Sequence, residues 1–388
     1  MKILFLSFSD HKGGASIAAY SIFKALKLKN SIFLTVYKKF NKSREIYNFT
    51  KKNYIYFLRI VEKMLIFIFC KKKYHQSLNI FNTFSQKIIS SYPADIINIH
   101  WVNRSMISLN ELSMLNKKII ISLHDMWFFN STEHYFDQKK YNEDILSKYC
   151  WNQKLKFIYK KNVHFIAHNN WMLKKFIKNH PSLKKKIFLS KFYPINTKVF
   201  KPRNKNFLRK KYNIPLDKKI IFFSAQDIED KRKGFKYFKK IIEKLSNNND
   251  FYFISLGNKT LNLSYIKNYK HFDFLPNEKT AEIYSLSDIY ICTSIIDNLP
   301  LTVLEALSSG NLVLSFKNGG SEEVLKKIGY SFKKSQITKM IYFLQNLTSK
   351  KIKKQSILSR RFAIKNLSSK QTKKQYLKIF KTINSLKI

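Results

Sequence analysis

The sequence predicts an α/β protein made of two βα domains with parallel sheets. Three observations carry that prediction. Short apolar runs alternate with helical patterns along the chain. At 388 residues and 45% hydrophobic content, the chain is long enough for two domains, each with its own core. It has only eight glycines where ordinary usage would give about 27, and most of them fall in turns that follow apolar runs.

In the first half, strands are expected at 2–8, 31–36, 95–100, 118–123, 163–167 and 186–189, with helices at 15–28, 54–70 and 171–178. In the second half, strands are expected at 219–224, 251–256, 270–274, 288–293 and 312–316. Helices there fall at 235–245, 278–285, 300–309 and 336–346. Between the halves, 192–213 carries Pro194 and Pro202 and reads as a linker with a short helix. The tail from 350 to 388 has the pattern of one terminal helix that packs back on the protein. The expected domains are 1–192 and 193–365, closed by a crossing helix at 366–388. Ligands of such sheets bind beyond the carboxyl ends of the strands, so a cleft between the domains is the expected site.

The formal net charge of +49 suggests a nucleic-acid binder at first sight. Only eight of the 73 basic residues are Arg, however, and the lysines are spread evenly. Base readout and phosphate forks favour Arg, so no specific nucleic-acid partner is expected. Lys comes with abundant Ile, Asn, Phe and Tyr, the set that AT-rich codons encode. Whatever its origin, the charge draws the chain toward anionic membrane surfaces and anionic ligands.

Cys70, Cys150 and Cys292 are widely spaced and odd in number, which fits a reducing compartment. The N-terminus enters a strand at once and does not read as a signal peptide. No run is long and apolar enough for a transmembrane helix. The nearest is 54–70, YIYFLRIVEKMLIFIFC, followed by Lys71–Lys73. It fits either a buried domain helix or an interfacial helix that docks on a membrane. The expected location is cytoplasmic, with a peripheral position at the inner face of the membrane.

Four stretches can carry chemistry. Residues 297–324 read DNLPLTVLEALSSGNLVLSFKNGGSEEV. Pro300 suits a first helical turn, Leu301, Leu304, Ala306 and Leu307 cover its apolar side, and Gly310 suits its end. Asp297 and Glu305 place two acids around that turn. Sugar hydroxyls are hydrogen-bond donors and need such acceptors. Residues 224–235, SAQDIEDKRKGF, put Arg232, Lys233 and Gly234 between a strand and a helix, where a helix N-terminus and cations favour an anion. Gly13 and Gly14 open the first helix in the same way. His124 ends the strand at 118–123, ahead of Asp125-Met126-Trp127.

The 297–324 block resembles the nucleotide-sugar motif of the retaining glycosyltransferases of family 4, which have the GT-B fold of two Rossmann-like domains. That motif has Glu, seven residues, Glu, and then a Gly-Gly-x-x-Glu loop. Here Asp297 stands for the first Glu, Glu305 is the second, and Gly319-Gly320 opens the loop. The resemblance implies that Glu305 holds the donor ribose and that Asp297 meets the transferred sugar. It places Leu301, Gly319 and Gly320 among the donor-binding residues. It sets Arg232 and Lys233 on the donor diphosphate, where negative charge grows as the nucleotide leaves. Gly13 and Gly14 would close over the donor, and His124 would lie near the anomeric carbon and the acceptor. Asp297, Lys233 and His124 are thus the implied catalytic residues, and neither a metal nor another cofactor is implied.

The string Leu-His-Asp-Met-Trp is similar to bacterial surface-polysaccharide transferases. The implied donor is a UDP- or GDP-sugar, and the implied acceptor is a glycan or a lipid-linked glycan. The product would be an O-antigen, capsule or exopolysaccharide. A sugar-nucleotide epimerase or hydrolase on the same fold is an alternative, as is a basic nucleic-acid-binding protein.

Overall fold

A computed structural model describes residues 1–38, 46–47, 52–70, 75–135, 144–258, 263 and 265–386. Two compact units emerge, one of Met1–Lys191 with Thr372–Ile388 and one of Phe192–Gln371. The Lys71–Lys73 run lies outside the described residues.

The first unit runs β1 (Ile3–Leu6), α1 (Gly14–Leu26), β2 (Ile32–Leu34), β3 (Ile46–Tyr47), α2 (Lys52–Phe69), α3 (Gln86–Ser91), β4 (Ile96–Ile99), α4 (Leu109–Ser113), β5 (Lys118–Leu123), α5 (Ile145–Ile158), β6 (Val163–Ala167), α6 (Asn170–Asn179) and β7 (Ile187–Leu189). The second runs α7 (Lys205–Lys211), β8 (Lys219–Asp227), α8 (Phe235–Leu245), β9 (Phe251–Asn258), β10 (Tyr269–Phe272), α9 (Asn277–Leu286), β11 (Ile289–Cys292), α10 (Leu301–Ser308), β12 (Leu312–Phe316), α11 (Gly320–Leu325), β13 (Tyr330–Phe332), α12 (Ile337–Gln345) and α13 (Ser349–Asn366). The last helix, α14 (Ser369–Ser385), packs with the first unit.

Among the described residues, the first sheet has the order β3-β2-β1-β4-β5-β6-β7 and the second β10-β9-β8-β11-β12-β13. Every pairing is parallel. Central strands such as β4, β6, β11 and β12 are buried throughout. That is why they read as unbroken apolar runs, with each fully buried Ile, Val, Leu or Phe contributing about 1.5–3 kcal/mol. Each order reverses once, between β1 and β4 and between β8 and β11. At such a switch point the loops part and leave a crevice at the strand ends.

Helix packing follows from the sequence just as directly. α8 buries Phe235, Phe238, Ile241, Ile242 and Leu245 at helical spacing, while Lys236 and Lys240 on its other face are exposed. Much of the positive charge is of this solvated kind.

Two expectations change. The helical pattern expected over 350–388 divides into α13 and α14, and α14 lies within the crossing helix expected at 366–388. α13 ends where the Leu367 N–H bonds to the Ala363 carbonyl at 2.8 Å. Ser368 then starts α14, its Oγ accepting from the Gln371 N–H at 3.4 Å. The helix at 54–70 is not a buried domain helix. Ile55, Leu58 and Glu62 face inward, whereas its other side is exposed and apolar.

Candidate functional site

The switch point of the second unit brings together residues far apart in sequence. The loop after β8 ends in a tight turn at 231–233. Asp230 starts it, its Oδ1 accepting from the Arg232 N–H at 2.9 Å. Gly234 closes it with φ +71°. A Cβ at Gly234 would lie 2.1 Å from the Thr293 carbonyl oxygen, so a larger residue cannot fit without moving the turn. The Thr293 hydroxyl donates to the Gly234 carbonyl at 2.9 Å. Gly234 therefore serves close contact between two backbone segments, and it fixes the turn against the exit of β11.

That exit carries Asp297, which is buried. Its Oδ2 accepts from Lys233 Nζ at 2.7 Å and from Arg232 Nη1 at 3.0 Å. Arg232 also reaches Asp230 Oδ2 at 3.3 Å. Burial alone would raise the Asp297 pKa, but the Lys233 and Arg232 charges outweigh it and hold the carboxyl below its usual range. The glycine pair joins the same place. Gly319 pairs with Asp297 as an isolated β-bridge, and the Gly320 N–H donates to the Asn298 carbonyl at 2.7 Å. Asp297, Arg232, Lys233, Gly319 and Gly320 thus form one cluster at the crevice.

Glu305 lies in the second turn of α10, whose first residue, Leu301, is half-buried. Glu305 keeps some surface exposed, yet its carboxyl interacts with the buried phenol of Tyr284. Burial pushes its pKa up to about 7, and the Tyr284 hydroxyl bond opposes the rise. Tyr284 and Tyr290 are in turn tied to Ser224 Oγ in β8, at 2.9 and 3.3 Å. A carboxyl balanced between charge states can both accept from and donate to ligand hydroxyls.

In the first unit, Gly13 caps α1 with φ +88° and no side-chain cap. A Cβ added at Gly13 or Gly14 would meet nothing within 4 Å. The start of α1 is therefore open, with N–H groups that no capping side chain satisfies. Ser9 shapes the loop before it, its Oγ accepting from the His11 and Lys12 N–H groups at 3.2 and 3.1 Å.

His124 follows β5 and belongs to a row. His100 follows β4 and His168 follows β6, so three neighbouring strands each end in a histidine. His100 Nδ1 and His124 Nε2 share a hydrogen bond of 2.8 Å, and the His124 and His168 rings stack at 5.5 Å. All three are buried, and burial lowers each pKa, for His168 to about 3. Their neighbours' charges lower His100 and His124 further. The row is neutral at physiological pH, so hydrogen bonding and shape are what His124 can offer a ligand.

Asp125 has a structural task. Its Oδ2 bonds to His134 Nδ1 at 2.6 Å and to Trp101 Nε1 at 3.1 Å, and its Oδ1 accepts from the Trp127 N–H at 3.0 Å. Lys154, fully buried, donates to the carbonyls of Trp127, Asn130 and Ser131 and lies 3.5 Å from the Trp127 ring centroid. It closes the turn after β5 that follows His124. Sequence reasoning gave no role to His100, His168 or Lys154. The histidines had a signal, since each directly follows an apolar run, whereas nothing set Lys154 apart from 64 other lysines.

Known proteins share this architecture. A sucrose-phosphate synthase from Thermosynechococcus elongatus superimposes with a TM-score of 0.73 at 11% identity, covering 98% of each chain. HepE from Anabaena, solved in complex with UDP-glucose, gives 0.68 at 13% identity over 98% of this chain and 100% of its own. A glycosyltransferase from Rickettsia africae gives 0.67 at 18% identity over 100% and 99%. The fold is GT-B. Residues 204–359 match the family model of the glycosyl transferases group 1. That segment holds the whole Asp297 cluster and Glu305, and the match supports glycosyl transfer as the activity. No curated protein matches this sequence.

Proposed function

We propose that this chain is a retaining glycosyltransferase that moves a sugar from a UDP- or GDP-sugar to a glycan or lipid-linked glycan of a bacterial surface polysaccharide. One observation carries the proposal: Arg232 and Lys233 converge on Asp297 at the switch point of the second sheet. Asp297 and Asp230 offset the two cations, so what the turn offers a diphosphate is two charged N–H donors held side by side rather than a net charge. Asp297 positions both cations, and its free lone pairs can accept from a sugar hydroxyl. Glu305 accepts from the ribose hydroxyls. Gly13 and Gly14 offer main-chain N–H groups to phosphate or sugar oxygens. His124, neutral and fixed by His100, orients a hydroxyl by hydrogen bonding.

In the reaction, the bond from the anomeric carbon to the donor phosphate oxygen breaks. A bond from the acceptor oxygen to that carbon forms on the same face. The acceptor proton passes to the leaving phosphate, and Lys233 and Arg232 offset the charge that develops there. HepE supports the donor class through its bound UDP-glucose, although that ligand is a property of HepE.

The test is to incubate the protein with UDP-, GDP- and dTDP-sugars, with and without a lipid-linked glycan acceptor. Nucleotide release and product configuration are then read by NMR. Acceptor-dependent release with a retained anomeric configuration is expected. Inversion would refute the stereochemistry. Release or epimerisation that ignores the acceptor would replace transfer with another reaction.

A further inference from the structure

α2 is amphipathic in an unusual sense. Inward, it presents Ile55, Leu58 and its one acid, Glu62. The Glu62 carboxylate accepts from the Leu78 and Asn79 N–H groups at 2.7 and 3.2 Å and from Ser105 Oγ at 2.9 Å. Outward, it presents Tyr56, Phe57, Ile60, Met64, Phe67 and Ile68, from 40% exposed at Ile60 to 89% at Phe67. Lys63 is exposed beside them, and Arg59 is half-buried. Single exposed apolar side chains need no explanation, but a contiguous row along an 18-residue helix does.

We propose that the outward face of α2 docks on an anionic lipid bilayer, with the helix lying in the plane of the interface. Three properties favour that occupant. The exposed face joins large apolar and aromatic side chains to the basic Lys63 and carries no acid, which suits the boundary between acyl chains and anionic headgroups. The chain has a formal net charge of +49, which adds attraction to such a surface. The same charge sets two copies of this chain against each other and disfavours self-association through this face. Among the described residues, no helix is long and apolar enough to cross a membrane, so the contact is interfacial. Glu62 holds the helix in place by bonding it to the 77–79 loop and to Ser105, so the apolar row is presented without rearrangement.

The experiment uses the full chain and sedimentation with two kinds of vesicle, phosphatidylcholine alone and phosphatidylcholine mixed with phosphatidylglycerol. The wild type is expected to bind the mixed vesicles at least about tenfold more tightly than the neutral ones, with binding that weakens as salt rises. Phe57→Ser/Met64→Ser/Phe67→Ser is expected to lose at least about tenfold in binding to the mixed vesicles, with an unchanged melting temperature and unchanged turnover of a water-soluble acceptor. Phe67→Asp is a milder second variant and should lose binding in the same direction.

Three results would overturn the proposal. The wild type could fail to bind mixed vesicles. The triple variant could bind them as well as the wild type, which would leave the contact to diffuse charge. A wild-type dimer that the triple variant abolishes, with no vesicle binding, would make a second copy the occupant.

Discussion

Replacing Glu305 with Gln isolates the energetic cost of the acid on α10. Burial among the tyrosines lifts its pKa from 4.5 to about 7, against the Tyr284 bond that lowers it. The folded protein thus holds this proton more tightly than the unfolded chain does. Glu305 carries no penalty below about pH 4.5, and stability is lost as pH rises through about 7. A rise of that size corresponds to about 3 kcal/mol at about 1.4 kcal/mol per pH unit. Partial exposure of the residue reduces this to about 1–3 kcal/mol.

Glu305→Gln keeps the shape and removes the charge. Urea unfolding at about pH 8 should find the variant more stable by about 1–3 kcal/mol, and at about pH 4.5 the difference should shrink to near zero. The same variant should bind a nucleotide-sugar more weakly, because the amide replaces a carboxylate acceptor. A gain in stability with a loss in binding is the pattern of a functional acid in a costly place. A stability difference that does not change with pH would refute the burial argument.

Other consequences can be checked together. Lys154→Met leaves the carbonyls of Trp127, Asn130 and Ser131 without their donor and should cost about 2–4 kcal/mol in urea unfolding, far more than Lys→Met at an exposed site such as Lys240. Gly14→Ala adds a Cβ into open space at a helix start, so the melting temperature should hold or rise slightly, while donor turnover falls at least about tenfold if a ligand approaches there. Unchanged turnover would remove Gly14 from the site. Asp297→Asn should lower stability at neutral pH by about 1–3 kcal/mol, because two cations lose their shared partner. The Asp297 carboxyl is held below its usual range, so its contribution exists above about pH 4 and disappears as pH falls further, and acid titration should make wild type and variant converge.

The sequence was most legible where burial was complete. The bounds expected for 118–123, 163–167, 235–245 and 312–316 are those of β5, β6, α8 and β12. A strand covered on both faces can only be an apolar run, and α8 has one apolar face. Legibility failed where the inward face is polar or short. α5 turns Ser147, Cys150 and Lys154 inward, so it has no apolar stripe to detect. β13 is three half-buried residues at a sheet edge, and β3 is only two residues, Ile46 buried and Tyr47 exposed. The crossing helix expected at 366–388 is α14, which begins three residues later because Ser368 caps it.

At the site, the residues of the Asp297 cluster were all readable from local motifs. Their contacts were not, because Arg232 and Lys233 meet Asp297 across more than sixty positions of chain. The glycines divide in the same way. Gly13 and Gly14 face open space, whereas Gly234 is there so that two backbones can touch.

The central claim is that Arg232 and Lys233, gathered on Asp297, hold the diphosphate of a nucleotide-sugar. Calorimetric titration of the wild type and Lys233→Met with UDP, GDP and dTDP tests it most directly. One nucleotide should bind the wild type saturably, with an affinity that falls as salt rises. Lys233→Met should weaken it at least about tenfold while the fold persists, since one charge-assisted contact contributes about 1.5–3 kcal/mol. Equal affinity in both proteins, for every nucleotide that binds, would contradict the account.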